Sequence, residues 1–175
     1  MRTTVSKILS HGYSYSLTQR LSAVLGGDFD ADREFNLADL AAHSKSAVSD
    51  VLWVLACEGK SVLAVEFARF CATTIKAVNA DLSCETIALF DSRLTHKGLR
   101  DMANGMKSTT PAAGKEKCPV WRKRRATQQA LLSRASTDPV HAAHYAAYAY
   151  QCAYQVNPRG LKEKLIELLL ESDHE

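Results

Sequence analysis

Apolar residues recur at three- and four-residue intervals along most of this chain, and no sustained alternation of β-branched residues interrupts them. The pattern predicts an all-α fold of about seven short helices and no sheet. Val5 to Leu25 reads as a short helical turn, a break at Gly12 and a helix from Ser16 to Leu25. Gly26-Gly27 closes it by accepting the left-handed conformation. Leu37, Leu40 and Ala41 return to helical spacing. Ser46 is the expected N-cap of a helix over Ala47 to Cys57, whose core stripe is Val48, Val51, Leu52, Leu55 and Ala56, with Trp53 beside it. Gly59 ends that helix and Ser61 starts the next, which runs to about Val78 with Leu63, Phe67, Phe70 and Val78 on one face.

Ser83 is placed to cap a further helix carrying Ile87, Phe90 and Leu94 on one side, and a short helix from Lys97 to Ala103 ends at Asn104-Gly105. Residues 106–119 hold Pro111, Gly114 and mixed charge, which reads as the longest loop. The organisation expected is a helical bundle over 1–105, the loop 106–119, and C-terminal helices over 120–175 that pack on the same domain. Val120 to Ser136 reads as a basic helix. Asp138-Pro139 and Asn157-Pro158 each set a capping residue before a proline, which fits the first helical position because it needs no hydrogen bond there. Two helices follow: Val140 to Val156, rich in Ala and Tyr, and Arg159 to Glu171. The second is amphipathic, with Leu161, Leu165, Leu168 and Leu169 opposite Lys162, Glu163, Lys164 and Glu167.

The 175-residue length and 46% hydrophobic content suffice for a core without metals or disulfides, and a net charge of +3 is too small to imply a nucleic-acid partner alone. Cys57, Cys71, Cys84, Cys118 and Cys152 form no C-x-x-C pair, which sets aside zinc-ribbon and thioredoxin-like motifs. Most sit in apolar helical patterns, as expected in a reducing compartment. Met1 to Ser10 lacks the apolar run of a signal peptide, and no apolar stretch reaches the roughly 20 residues that span a bilayer. A cytoplasmic protein with no membrane partner is expected.

Four segments together carry a resemblance. Asp50-Val-Leu-Trp-Val-Leu55 is followed by Leu63-Ala-Val-Glu-Phe-Ala-Arg-Phe-Cys-Ala72, then Ile87-Ala-Leu-Phe-Asp91 and the alanine-rich His141-Ala-Ala-His-Tyr-Ala-Ala-Tyr-Ala149. Over roughly residues 46 to 155 this order resembles the alanine-rich helical-array proteins of phages and mobile elements, some of which are labelled immunity proteins. This chain has Tyr and His where the family repeat has Trp and Asp. The resemblance implies a stacked-helix fold, a bacterial host cell, and a setting in which small proteins block host defence. It implies no chemistry.

Four clusters merit weighing. His141-x-x-His144 shares a helical face, as metal ligands can, but lacks an adjacent third ligand or an H-E-x-x-H frame, so packing for one ring and exposure for the other is the reading preferred. Asp28-x-Asp30-x-Asp32 resembles the start of a calcium loop, yet Arg33 and Asp39 stand where glycine and a bidentate glutamate are required, which favours a solvated turn. Trp121-Arg122-Lys123-Arg124-Arg125, preceded by Lys115 and Lys117, is the densest charge feature. Arg122, Arg125 and Arg134 on one helix side would suit phosphates, with Trp121 stacking on a base. The alternative is a solvated face with Trp121 in a core of Ala126, Ala130 and Leu131. Tyr145, Tyr148, Tyr150 and Tyr154 exceed what one short helix buries, and tyrosine is frequent at interfaces.

Neither a nucleophile elbow nor a phosphate loop occurs, and no cofactor motif is found. The sequence therefore points to a single-domain stacked helical bundle or short array without enzymatic activity. It would act as a mobile-element accessory protein that binds and inhibits a host protein complex such as a defence nuclease, in an anti-CRISPR-like manner. Its contact residues would be Trp121, Arg122, Lys123, Arg124, Arg125, Tyr145 and Tyr148. The alternative is a nucleic-acid-binding accessory protein using the basic helix 115–134. The apolar face of the last helix leaves a homodimer open.

Overall fold

A computed structural model describes residues 1–12, 15–27, 30–43, 46–74, 88–106 and 119–172. Nine helices stand among them: α1 (Val5–Ser10), α2 (Tyr15–Leu25), α3 (Leu37–Ala42), α4 (Val48–Cys57), α5 (Ser61–Thr74), α6 (His96–Gly105), α7 (Pro119–Ala135), α8 (Pro139–Tyr154) and α9 (Leu161–Glu171). They form one helical domain, as the spacing predicts. Val78, the Ser83 cap, Ile87, Lys115, Lys117, Asp28, Cys84 and Cys118 lie outside the described residues.

Helix α8 is the hub. It packs against α4, α5 and α7, and its inward face is Ala142, Ala143, Ala146, Ala149 and Ala153, all buried. Side chains this short let neighbouring helices approach closely, so larger residues from those neighbours, such as Phe67, Leu52, Leu55 and Leu131, fill the core at no exposure. Helices α7 and α8 form a hairpin joined by residues 136–138. Asp138 caps α8 as expected, its side chain accepting from the backbone N–H groups of Val140 (2.8 Å) and His141 (3.1 Å), with Pro139 at the first turn. Gly59, at φ +73°, closes α4. Its N–H donates to the Ala56 carbonyl and that of Lys60 to Leu55 at 2.8 Å, the paired bonds of a left-handed helix stop.

The first residues and the last helix are each tied to neighbouring elements. Contrary to the expectation of no sheet, β1 (Arg2–Thr4) pairs antiparallel with β2 (Glu34–Asn36), with Thr3 opposite Phe35. Three residues per strand are too few for alternation to register as a sequence pattern. Thr3 is buried and donates its hydroxyl to Glu58 Oε1 at 2.9 Å, while Lys7 Nζ pairs with Glu58 Oε2. The first residues are thereby bound to the end of α4. Lys162 Nζ of α9 donates to the His43 carbonyl at 2.8 Å, joining α9 to the end of α3.

Three further expectations are corrected. Ser46 does not cap α4: the cap is Ala47, without a side-chain bond, and the Ser46 hydroxyl donates to the His43 carbonyl at 2.9 Å. It serves the exposed carbonyl end of α3 instead, the nearer of two competing partners. Helix α9 begins at Leu161 rather than Arg159, because Asn157 Oδ1 accepts from Arg159 N–H and holds a turn that Gly160, at φ +73°, completes. Phe90 does not face the core. Ala88 and Leu89 are buried in its place, and Phe90 lies outside beneath the Arg69 guanidinium, 5.1 Å from its ring centre.

Candidate functional site

The basic cluster lies on the first two turns of α7. Arg124 is exposed, and Trp121, Arg122, Lys123 and Arg125 are half-buried. From Ala126 onward the helix enters the core, with Ala126, Gln128, Gln129, Ala130, Leu131 and Ser133 buried. Trp121 is thus neither a core residue nor a free stacking platform. Two of the three arginines expected to face phosphates are engaged inside the protein. Arg134 donates to the backbone carbonyls of Ala88 (2.5 Å) and Asp91 (2.7 Å), and Arg125 Nη1 donates to Gln128 Oε1. Gln128 in turn donates to the Ala103 carbonyl at 2.7 Å, which ties α7 to α6. Arg122 Nη1 reaches the Gln155 carbonyl at 3.4 Å, across to the end of α8.

That last contact fixes the register of the hairpin and separates the predicted contact residues. Tyr148 precedes Gln155 by seven residues, so it stands about 10 Å along α8 from the basic cluster, and Tyr145 about 15 Å, at 1.5 Å rise per residue. The structure does not gather them into one spot.

The outward face of α8 is a band of its own. Val140, His144, Tyr148, Gln151, Tyr154 and Gln155 are exposed and fall within roughly 120° of helix circumference at 100° per residue. Val140 is 47% exposed, Tyr148 44% and Tyr154 52%. His144 meets the Tyr148 ring edge-to-face, centroids 4.9 Å apart, in the geometry that aromatic quadrupoles favour. Tyr150 borders this band, its ring centre 5.6 Å from that of Tyr154, but it also packs inward on Phe67 at 5.8 Å, and burial pushes its hydroxyl pKa up. The tyrosines therefore divide between filling the core and facing outward.

A cleft flanks each edge of the band. One, of about 320 Å³, is lined by Arg100 and Asn104 of α6, Leu132 of α7, Ser136, and His141 and Tyr145 of α8. The other, of about 360 Å³, lies where the start of α4 (Ser46, Ala47, Val48 and Ser49) meets Tyr150, Gln151, Tyr154 and Lys162. Sequence reasoning missed Arg100, Asn104 and Lys162, which carry no motif and reach the clefts only through helix packing. His141 and His144 part company: His141 Nδ1 lies 3.4 Å from Asp138 Oδ2 at the first cleft, while His144 stacks on Tyr148. Among the described residues no three of His, Cys, Asp and Glu stand together as metal ligands. Asp30 accepts from the Asp32 N–H at 3.0 Å, an acidic side chain closing its own turn. Cys71 and Cys152 are buried thiols, and burial raises the pKa of each.

Fold and surface define a helical protein whose most central helix also carries an exposed aromatic band between two clefts. Among the described residues no helix is long and apolar enough to cross a membrane. The chain matches no family model, no curated protein and no solved structure.

Proposed function

We propose that this protein acts by binding another protein through the outward band of α8, and that it does so as an inhibitor of a host complex, the role suggested by its resemblance to mobile-element helical arrays. The observation that carries the reading is the exposure of Val140, Tyr148 and Tyr154 on a helix whose opposite face is locked in the core. Rigid aromatic side chains on a rigid element supply contact area at small entropic cost. Nearby charge gives the partner a sign. Arg122, Lys123 and Arg124 lie at one end of the hairpin, Arg100 beside one cleft and Lys162 beside the other, which suits an acidic protein surface.

The reading is tested by affinity capture from nuclease-treated bacterial lysate, with wild type and Tyr148→Asp in parallel and circular dichroism to confirm that both are folded. Proteins retained by wild type and lost from the variant support it. Identical proteins on both, or retention that disappears with nuclease treatment, overturn it. The second of those results moves Arg122, Lys123 and Arg124 to the centre as phosphate contacts.

A further inference from the structure

We propose that the cleft between α6, α7 and α8 is a binding site for a small organic anion, a carboxylate or a phosphate monoester on an apolar body. Its volume of about 320 Å³ is at the lower end of small-molecule sites, which run to roughly 1,000 Å³. Three helices converge to line it, and the side chains they bring carry hydrogen-bond donors. Arg100 offers a guanidinium whose one hydrogen bond among the described residues is a long 3.5 Å contact to the Ala135 carbonyl, so most of its fork faces no described acceptor. Asn104 and Tyr145 add an amide and a hydroxyl, neither hydrogen-bonded to a described residue. His141 is turned towards Asp138, whose Oδ2 lies 3.4 Å from Nδ1, so a proton held there leaves Nε2 of the neutral ring an acceptor, and the donors to an anion are Arg100, Asn104 and Tyr145. Ser136 is different: its proton goes to the Asp138 carbonyl at 3.0 Å, so it can only accept. Among the described lining residues there is no carboxylate, the nearest being Asp138 behind His141, and Leu132 and the Tyr145 ring supply apolar contact.

A second observation comes from α7, one turn before the cleft. Gln129 precedes the lining residue Leu132 by three positions, a spacing that sets two side chains on one helix face, though Gln129 does not itself line the cleft. It is 3% exposed, and its side-chain amide makes no hydrogen bond to the protein among the described residues. Its neighbour Gln128 is equally buried and is bonded through both its nitrogen and its oxygen. A buried amide without a partner costs free energy unless something polar reaches it. A ligand or its bound water entering past Leu132 would do so. The assignment is independent of the α8 band, since Tyr148 does not line the cleft.

The test is an NMR and calorimetric titration of the whole chain with benzoate, phenyl phosphate and benzyl alcohol, which share a ring and differ in head group. Saturable one-to-one binding of at least one anion, with shifts centred on Arg100, Asn104, His141 and Tyr145 and none from benzyl alcohol, is expected. Arg100→Ala should weaken that binding at least about tenfold, the scale of a lost charge-assisted contact. Arg159→Ala, a cation removed from exposed chain elsewhere, should leave it unchanged. Failure of both anions to saturate wild type by about 10 mM overturns the proposal, as does equal weakening by Arg159→Ala, which would signify diffuse attraction. A comparison of benzoate with phenyl phosphate then tells carboxylate from phosphate.

Discussion

Arg134 separates a structural from a nucleic-acid role for the basic helix. It follows the cluster at Arg122 to Arg125 and by charge alone would join it, yet its guanidinium holds the carbonyls of Ala88 and Asp91 at 2.5 and 2.7 Å. Hydrogen bonds to charged groups contribute about 1.5–3 kcal/mol each. Ala88 is 2% exposed, so its carbonyl stays dry after Arg134→Ala, whereas Asp91 at the turn is open enough to be rehydrated. The expected loss is about 3 kcal/mol, nearer one full bond with its orphaned acceptor than two. For a chain of this size that lowers Tm by roughly 6–12 °C. Arg134→Lys keeps the charge but not the fork, so it should lose about half as much. Urea unfolding of the three proteins, fitted with a common m-value, reads both numbers. A shift in Arg134→Ala below about 0.5 kcal/mol would refute the structural assignment, because only surface residues are that cheap to lose. If nucleic acid binds, the same variant should leave the slope of log affinity against log salt unchanged, whereas a true phosphate contact would lower it by about one.

Glu58→Gln removes the charge that Thr3 and Lys7 share and should cost about 1–2 kcal/mol in urea unfolding. Asp138→Ala should cost about 1 kcal/mol, against less than about 0.5 for Ser46→Ala, since only the first accepts from the start of a helix. The side-chain and backbone bonds from Arg93 hold the Asp91 carboxyl at a pKa of about 2, below its ordinary 3.8, so its stabilisation is complete above about pH 4 and fades as pH falls towards 2. A carbon-detected NMR titration should show that midpoint and its return towards 3.8 in Arg93→Ala. Tyr148→Ala should change unfolding free energy by no more than about 0.5 kcal/mol in the same assay, as its ring stands outside the core.

The elements were readable where one face must be buried and the stops are chemical. The period of Val48, Val51, Leu52 and Leu55, the glycine after α4, and Asp138-Pro139 before α8 are local signals that tertiary structure had no reason to override. Ser46 and Asn157 were misjudged because each can serve two partners. A serine between two helices may cap the second or close the first by sequence alone, and the fold sends its proton backwards to His43. Helix α7 shows the opposite difficulty. Gln128, Gln129 and Ser133 are polar, yet all three are buried because α5, α6 and α8 pack against the helix. No period in α7 could announce that, since a helix covered on several sides need not be amphipathic.

The site was readable as residue types and not as places. Tyr145 and Tyr148 are one helical turn apart and share the edge of α8, but the first lines a cleft with Arg100 while the second stacks on His144 in the open. Antiparallel pairing then sets the basic turn of α7 against the far end of α8, where Arg122 meets Gln155, so a partner touching both must span about 10 Å of helix. An extended surface can do that and a single small group cannot. The same pairing brings the end of α7 and the start of α8 up against α6, and thereby assembles Arg100, Asn104, His141 and Tyr145 from segments that share no motif. Aromatic band and polar cleft are thus two consequences of one hairpin. Tyr148→Asp should abolish protein capture while leaving anion binding intact, and Arg100→Ala should weaken anion binding; a Tyr148 variant that lost both would mean that the two surfaces are one.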